Sequence, residues 1–273
     1  DSRIKVLQME RNSGQAKARN HGLAVATGKY ITMLDSDDWL SKDAIESAVN
    51  VIESNGTIDS VLFSLMYSND TDNEQTPYPM RSDQELWSGE EAFKLSLDWS
   101  IHGLYLCKSE LYRSYPFDDC CRLYSDDNTT RLHYLHSQNV GRCDGIYYYR
   151  QHQNEMTHKV SIRRFDLLEA NISMKNSLIK EKQNGDIIAL FERERWINFV
   201  GTYGLYINNK KLFNKSDDRT IKYIIKNSYD SIEAALLPKK LRRKFGYIYF
   251  KCFSLFKLQA SIYFSLRKLF SKE

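Results

Sequence analysis

Residues 12–38 read NSGQAKARNHGLAVATGKYITMLDSDD, and the end of that stretch decides the fold class. Lys29 to Leu34 is β-rich and mostly apolar, the pattern of a buried central strand, and it runs directly into Asp35-Ser36-Asp37-Asp38. Upstream, Asn12-Ser13-Gly14 breaks a short strand pattern over residues 4–9, and residues 15–27 read as a helix closed by Gly28. Downstream, Ser41 is placed to cap a helix with Asp43 in its first turn. Ala44, Ile45, Ala48, Val49 and Ile52 follow at helical spacing until Asn55-Gly56, and residues 58–67 form another strand. This alternation of strand and helix predicts an α/β unit on a parallel sheet.

Further along, residues 68–84 are polar, contain Pro77 and Pro79, and read as a loop. Ser88 with Glu91 makes a capping box for a helix through Leu97. A strand near 102–107, a short helix 108–114, a loop rich in Asp and Cys, a helix 126–137 and a strand 145–150 follow. From about residue 160 the apolar period is helical throughout: Ile162, Phe165, Leu168, Ile172 and Ile179 mark one helix, and Ile188, Phe191, Phe199, Tyr203 and Tyr206 another. The expected organisation is an α/β unit over residues 1–158 and a helical extension over 159–273.

The acidic cluster carries the chemistry. Side chains alternate along a strand, so Asp35 and Asp37 point the same way with roughly 7 Å between their Cα atoms. Carboxylates that converge at a strand end repel one another unless a cation sits between them, and hard oxygen ligands suit Mg²⁺ or Mn²⁺ completed by phosphate oxygens. In open α/β sheets, ligands gather beyond the carboxyl ends of the strands. The plain structural alternative is a helix-capping turn, since Asp and Ser collect before helices for that reason alone. An EF-hand is excluded, because Trp39 takes the next ligand position and no Gly follows. A phosphoaspartyl-transfer site also begins with an apolar strand and D-x-D, but Trp39 stands where it wants a small residue.

Asn12-x-Gly14-x-x-x-Ala18-Arg19-Asn20-x-Gly22, then Ala26-x-Gly28-x-Tyr30-Ile31, then Leu34-Asp35-Ser36-Asp37-Asp38 resembles the family 2 glycosyltransferases of the GT-A fold. The resemblance continues less tightly to about residue 157. It implies an inverting transfer from a nucleotide-diphospho-sugar, usually UDP-linked, with Mn²⁺ or Mg²⁺ at the D-x-D. Position by position, it gives Asp35 and Asp37 to nucleotide and metal, Asp38 as a further ligand, and Arg19 and Asn20 to the donor pocket. It also implies a βαβ unit ahead of Asp1, so the sequence reads as a GT-A core lacking that N-terminal unit. The residues agree on their own terms: Gly14 permits a tight backbone, and Arg19 can meet a phosphate bidentately where Lys supplies only a point charge.

Inverting transfer needs a carboxylate to accept the acceptor's hydroxyl proton. Tyr124-Ser125-Asp126-Asp127 is similar to the family's Glu-Asp element, with Ser125 where Glu is usual, which assigns the base to Asp126 and keeps Asp127 as the alternative. The bland reading is that Ser125 and Asp126 merely cap a helix. Arg150-Gln151-His152 resembles the family's Tyr-Arg-x-His segment, and Arg150 and His152 could neutralise a departing diphosphate. Trp99, His102 and Gly103 fall where the family places acceptor-site residues.

Composition sets the rest. Of 273 residues, 42% are hydrophobic and 27% charged, which excludes wholesale disorder. Five cysteines with no C-x-x-C favour a reducing compartment and argue against structural zinc. No apolar run is long enough to span a membrane. The net charge of +4 is unevenly spread: residues 239–273 hold ten Lys/Arg and one Glu, while residues 1–238 hold the other 29 basic and 34 acidic side chains, a net of −5. In that tail Leu241, Phe245, Ile248, Cys252, Leu255, Ile262, Leu266 and Leu269 recur at spacings of three, four and seven. Interleaved with Lys, Arg and aromatic residues, they suit a helix lying on an anionic membrane surface; the alternative is a helix packed on the domain with a solvated basic face. No nucleic-acid motif frames the cations, and no nucleic-acid partner is expected.

The sequence therefore predicts a cytoplasmic glycosyltransferase, peripheral at the inner face of the cell membrane. It would move one sugar from a nucleotide donor to a lipid-linked saccharide or growing polysaccharide. Two other classes stay open: a metal-dependent phosphohydrolase, and a non-catalytic peripheral membrane-binding protein.

Overall fold

The structure is a computed structural model that describes residues 1–69, 74–151 and 159–270. The chain divides into two compact units, Asp1–Lys159 and Val160–Glu273. In chain order the first holds α1 (Gln15–Leu23), β1 (Tyr30–Thr32), β2 (Trp39–Leu40), α2 (Ala44–Ser54), β3 (Ile58–Asn69), β4 (Gln75–Pro77), β5 (Leu86–Ser88), α3 (Gly89–Leu97), β6 (Tyr105–Lys108), α4 (Ser109–Ser114), α5 (Ser125–His136) and β7 (Asn139–Gln151). The second holds α6 (Asp166–Lys180), α7 (Gly185–Asn209), α8 (Lys215–Asp230), the short α9 (Lys239–Arg242) and α10 (Phe253–Phe270).

The α/β class holds, but the sheet is mixed, not parallel. Its order is β1-β6-β3-β7-β2, with β4 added to β3 and β5 to β7. Only the long central pair β3 and β7 runs parallel, with Val61 opposite Gly141 and Leu65 opposite Tyr147; β1, β2, β4, β5 and β6 all pair antiparallel. The strand read as central from its apolar run, β1, sits instead at one end of this order and, among the described residues, pairs with β6 alone, Ile31 facing Cys107. An apolar run marks a strand that is covered, not one that is paired on both edges. Residues 4–9 form no strand, and Ile4 and Val6 are 72% and 89% exposed. Among the described residues no strand lies beside them to satisfy their backbone groups, and alternation alone cannot hold a strand.

Two cores cover the sheet's two faces, as the strand period requires. On β3, Leu62 points toward Trp87, Phe93's neighbour Ala92, Tyr105, Tyr112 and Tyr134, while Val61, Phe63 and Leu65 point toward Ala44, Ala48, Ile52 and Tyr147. The helix N-termini behave as their sequences dictate. Ser88 accepts from Glu91 N–H while the Glu91 carboxylate accepts from Ser88 N–H, a complete capping box for α3. At α2 the cap position falls to Asp43, and the Ser41 hydroxyl donates to Asp43 at 2.7 Å while accepting from Ile146 N–H at 3.0 Å, which ties the helix start to β7. Gly145 is dictated by packing: a Cβ there would lie 2.6 Å from the Ala44 Cα.

Among the described residues the second unit contains helices and connecting segments but no strand. Trp196 and Phe199 on α7, Tyr229 on α8 and Phe256 on α10 stack at centroid distances of 5.3 to 5.9 Å. Beside them the buried Glu192 carboxylate accepts from Lys175 at 3.1 Å, Arg195 at 2.6 Å and Glu233 N–H at 2.6 Å, so the buried charge is satisfied from three directions. The tail is not one continuous helix. The short α9 and an irregular stretch precede α10, and Leu241 and Tyr247 pack against the aromatic core. Among the described residues no helix is long and apolar enough to cross a membrane.

Candidate active site

β1 and β2 stand at opposite ends of the strand order, so residues 33–38 must pass over the end of the sheet between them. The acidic loop lies on that passage, closed by a turn in which Asp38 N–H donates to the Asp35 carbonyl at 3.1 Å. Tyr147, near the carboxyl end of β7, fixes the loop from below. Its hydroxyl accepts from Asp35 N–H at 3.3 Å and donates to Asp38 Oδ2 at 2.7 Å, and Asp38 Oδ1 accepts from Arg150 N–H at 2.8 Å. Burial raises the Asp38 pKa above the ordinary carboxylate range despite these bonds, with Asp37 and Asp35 adding to the effect.

Opposite the loop stands α1, which starts after Gly14 at φ 90°, a backbone that only glycine takes without strain. From this helix Arg19 Nη2 donates to Asp35 Oδ1 at 2.6 Å, and its Nη1 lies 3.7 Å from Asp126 Oδ2. The guanidinium rests 5.1 Å from the centroid of Phe117 and is 16% exposed, so the apolar ring holds the cation in place. Arg19 thus bridges the acidic loop to the first turn of α5, where Asp126 and Asp127 both sit and the helix N-terminus favours negative charge. Asp126 is half-exposed and its Oδ1 accepts from Asp127 N–H at 3.2 Å.

Asp127 has a different environment. Its side chain is 21% exposed, and Arg131 Nη2 is 4.0 Å away. Burial pushes its pKa up to about 7; Arg131 opposes the shift and Asp126 adds to it. Arg131 is itself 3% exposed and lies over Trp99 at 5.2 Å. Trp99 takes φ 56°, a strained conformation for an aromatic residue, and its carbonyl accepts from the Tyr78 hydroxyl.

These groups line one cleft of about 480 Å³, whose wall includes Arg19, Asp35, Asp126, Asp127, Trp99, Gly103, Tyr67, Tyr147 and Tyr149. The cleft lies toward the carboxyl ends of the parallel pair β3 and β7, where open α/β sheets hold their ligands. Six expected site residues are therefore brought together: Arg19, Asp35, Asp126 and Asp127, with Trp99 and Gly103 of the expected acceptor side. The others are placed elsewhere. Asn20 is spent on structure, its Nδ2 donating to the Phe117 carbonyl and its Oδ1 accepting from Phe117 N–H, both at 2.8 Å. Asp38 holds the loop to β7 with both oxygens, which leaves it poorly suited to an ion. Arg150 puts its guanidinium 5.2 Å from the Trp39 ring, drawn by the aromatic face, and is not part of the cleft wall. Asp37 is exposed on the loop. His102 is buried and held neutral, its pKa lowered to about 3 by burial, as a core histidine. His152 lies outside the described residues.

Replacing Asn20 with Ala is accordingly expected to act on the fold. It strands both backbone groups of Phe117, at about 1 kcal/mol per lost hydrogen bond, so thermal melting should fall while nucleotide affinity stays within a few-fold. A large loss of nucleotide affinity without a change in melting would instead put Asn20 on the ligand.

Sequence reasoning missed the tyrosines. Tyr147 and Tyr149 read only as strand residues in Gly-Ile-Tyr-Tyr-Tyr-Arg, although the period of two puts both on the same face, with Tyr148 turned away to stack on Trp39 at 5.1 Å. Arg131 gave no signal at all, since its importance arises from its burial.

The family model for glycosyl transferase family 2 matches residues 1–125, which carry Arg19 and the acidic loop and end at the start of α5. Over its first 125 residues the chain resembles glycosyl transferase family 2. Its fold is that of the GT-A glycosyltransferases, as shown by S. aureus TarS 1–349 in complex with UDP, which superimposes with a TM-score of 0.68 at 19% identity over 95% of this chain and 74% of TarS. The complex of TarS 1–349 with UDP-GlcNAc gives 0.64 at 18% identity over 87% and 68%. By sequence, this chain is 24% identical over 245 residues to glycosyltransferase GlyG of Streptococcus pneumoniae serotype 4, covering 85% of this chain and 79% of GlyG. It is 52% identical over 46 residues to TuaG of Bacillus subtilis strain 168, a glycosyltransferase assigned to teichuronic acid biosynthesis, covering 17% of this chain and 18% of TuaG.

Proposed function

We propose that this chain is a family 2 glycosyltransferase that transfers a sugar from a UDP-linked donor, with inversion, to a lipid-linked saccharide or growing polysaccharide at the inner face of the cell membrane. The observation that carries the reading is the Arg19 bridge between Asp35 and Asp126 in one cleft. A largely covered guanidinium held between two carboxylates has its charge balanced within the protein, and an incoming diphosphate offers it stronger bidentate partners. TarS, with the same fold, binds UDP and UDP-GlcNAc, and TuaG is named for teichuronic acid biosynthesis, which supports the donor and acceptor classes.

In this reading Asp126 is the base. It is exposed enough for an acceptor hydroxyl to reach and lies beside the cation that faces the donor. The hydroxyl oxygen attacks the sugar's anomeric carbon, its proton passes to an Asp126 oxygen, and the bond to the diphosphate breaks on the opposite face. Arg19 stabilises the charge that collects on the leaving group. Trp99 and the tyrosines of the cleft wall offer flat faces to sugar rings and exclude water.

The donor set also suits Mn²⁺ or Mg²⁺. The Arg19 bond uses Asp35 Oδ1, no hydrogen bond to Oδ2 forms among the described residues, and Asp37 stands two positions on. Among the described residues there is no group of three or more His, Cys, Asp or Glu able to hold an ion. Mg²⁺-class ions are commonly held through one or two carboxylates and the substrate's own phosphates. Asp35 and Asp37 would hold it, and when bound it supplies positive charge to the diphosphate.

Calorimetry with UDP, with and without Mn²⁺, tests the reading. UDP is expected to bind, and Mn²⁺ to tighten it at least tenfold. A chain that takes up no UDP in either condition, or that releases phosphate from p-nitrophenyl phosphate without any sugar acceptor, is not this enzyme.

A further inference from the structure

The last helix of the second unit is apolar on two faces. One face packs inward: Phe256, Ala260 and Phe264 are buried, with Gln259 donating to the Ile248 carbonyl at 3.1 Å. The other carries Leu255, Leu258, Ile262, Leu266 and Leu269, which are 51%, 61%, 46%, 42% and 69% exposed. At about 100° per residue these five fall within an arc of roughly 80° on α10. A helix on a soluble domain gives that face to polar residues, and single exposed leucines need no explanation, but a continuous stripe over the helix length does.

The charge around the stripe names its partner. Residues 239–270 contain nine Lys or Arg and no Asp or Glu. Lys257 and Lys268 project from one flank of α10, beyond a row formed by Ser254, Ser261 and Ser265. Near the C-terminal end of α10, Arg267 and Lys268 line a groove of about 540 Å³ together with Gly201, Gly204 and Asn208 of α7. Gly204 is needed there, since a Cβ would meet the Phe264 ring at 2.4 Å. An aliphatic stripe bordered by hydroxyls and cations, with no anion on the segment, complements a surface that is apolar inside and negative outside.

We infer that the Leu255–Leu269 face of α10 docks flat on an anionic bilayer. The leucines enter the boundary between headgroups and acyl chains, and Lys257 and Lys268, on the flank beyond the serines, reach toward lipid phosphates. The helix lies on the membrane and does not cross it. This assigns the surface by which the proposed enzyme reaches a lipid-linked acceptor, and in that sense it rests on the function proposed above; the binding itself needs no turnover.

The test is flotation of the full chain with phosphatidylcholine vesicles and with vesicles containing 30% phosphatidylglycerol. The wild type is expected to float with the anionic vesicles, to float less in high salt, and to stay largely unbound with phosphatidylcholine alone. Leu258→Glu with Ile262→Glu should lower binding at least tenfold; both residues are exposed, so melting should not change. Lys257→Glu with Lys268→Glu should lower binding to the anionic vesicles alone. Equal binding of wild type and the Leu258→Glu, Ile262→Glu variant overturns the proposal. So does a wild type that fails to float and sediments as a dimer that the same variant makes monomeric, since a second copy then covers the stripe. UDP calorimetry on the same samples separates the two readings: flotation with no UDP binding spares this surface and sinks the enzyme assignment, and the reverse result does the opposite.

Discussion

Asp126→Asn is expected to lower sugar transfer by about 10²–10⁴-fold, the range that a positioned general base contributes. UDP affinity should change by no more than a few-fold. The two expectations separate because the residue's contacts do. Toward the donor side, Asp126 offers Arg19 only a 3.7 Å approach, against 2.6 Å for Asp35, so Arg19 keeps its main partner when Asp126 becomes neutral. Toward the acceptor, the carboxylate is half-exposed, and among the described residues only Asp127 N–H bonds to its Oδ1. Asn preserves the shape and that hydrogen bond but cannot take a proton. Arg19→Ala should show the converse pattern, weaker UDP binding together with slower transfer, because its charge is used in both states. The decisive comparison is with Asp127→Asn. If that variant alone loses turnover while Asp126→Asn retains it, the base is the deeper of the two carboxylates and the assignment reverses.

How much of this was legible beforehand depends on the range over which each feature acts. The capping box at Ser88 and Glu91, the helix at Ala44–Ser54 and the strand beginning at Ile58 are set by neighbours a few residues away, and the local pattern gives them. Sheet order is set by partners far along the chain. Nothing within Lys29–Leu34 distinguishes a strand flanked on both sides from one paired only with residues 105–108, so β1 was placed wrongly. The site divides the same way. The acidic loop and Asp126-Asp127 are marked by residue type, as was Arg19 through its spacing from Gly14. Asn20 carries the same residue-type signal, yet its amide is consumed by Phe117, a partner 97 positions away. Tyr147 shows the opposite error. A strand tyrosine carries no chemical mark, and its role arises only because the loop of residues 35–38 is laid across its hydroxyl. In the tail, the cation count was visible at once, but which apolar residues face inward was not. The sequence pattern joined Leu241 to Leu255 in one stripe, whereas the fold buries the first against the aromatic core and leaves the second exposed.

The same site predicts a stability that falls as pH rises. Asp127 titrates near 7 in the folded chain against about 3.8 when free, so between those values the folded state keeps a proton that the unfolded state has lost. Bound protons then favour the folded state at low pH, and that advantage disappears as pH climbs through the folded value; above 7 the curve is flat. The gap corresponds to on the order of 2–4 kcal/mol once the partial exposure of the side chain is allowed for. Asp127→Asn should therefore match the wild type near pH 4 and exceed it by that amount at pH 8, as measured by urea unfolding at the two pH values. Wild-type transfer should rise through pH 7 as Asp127 ionises beside the base, and the Asn variant should lose that rise. A carboxylate that costs the fold this much at neutral pH, held against a buried Arg131 in the wall of the cleft, is the pattern of a group kept for chemistry. An Asn variant that is no more stable at pH 8 than at pH 4 relative to wild type would show that Asp127 stays ionised, and the pH dependence of transfer would then have to come from another group.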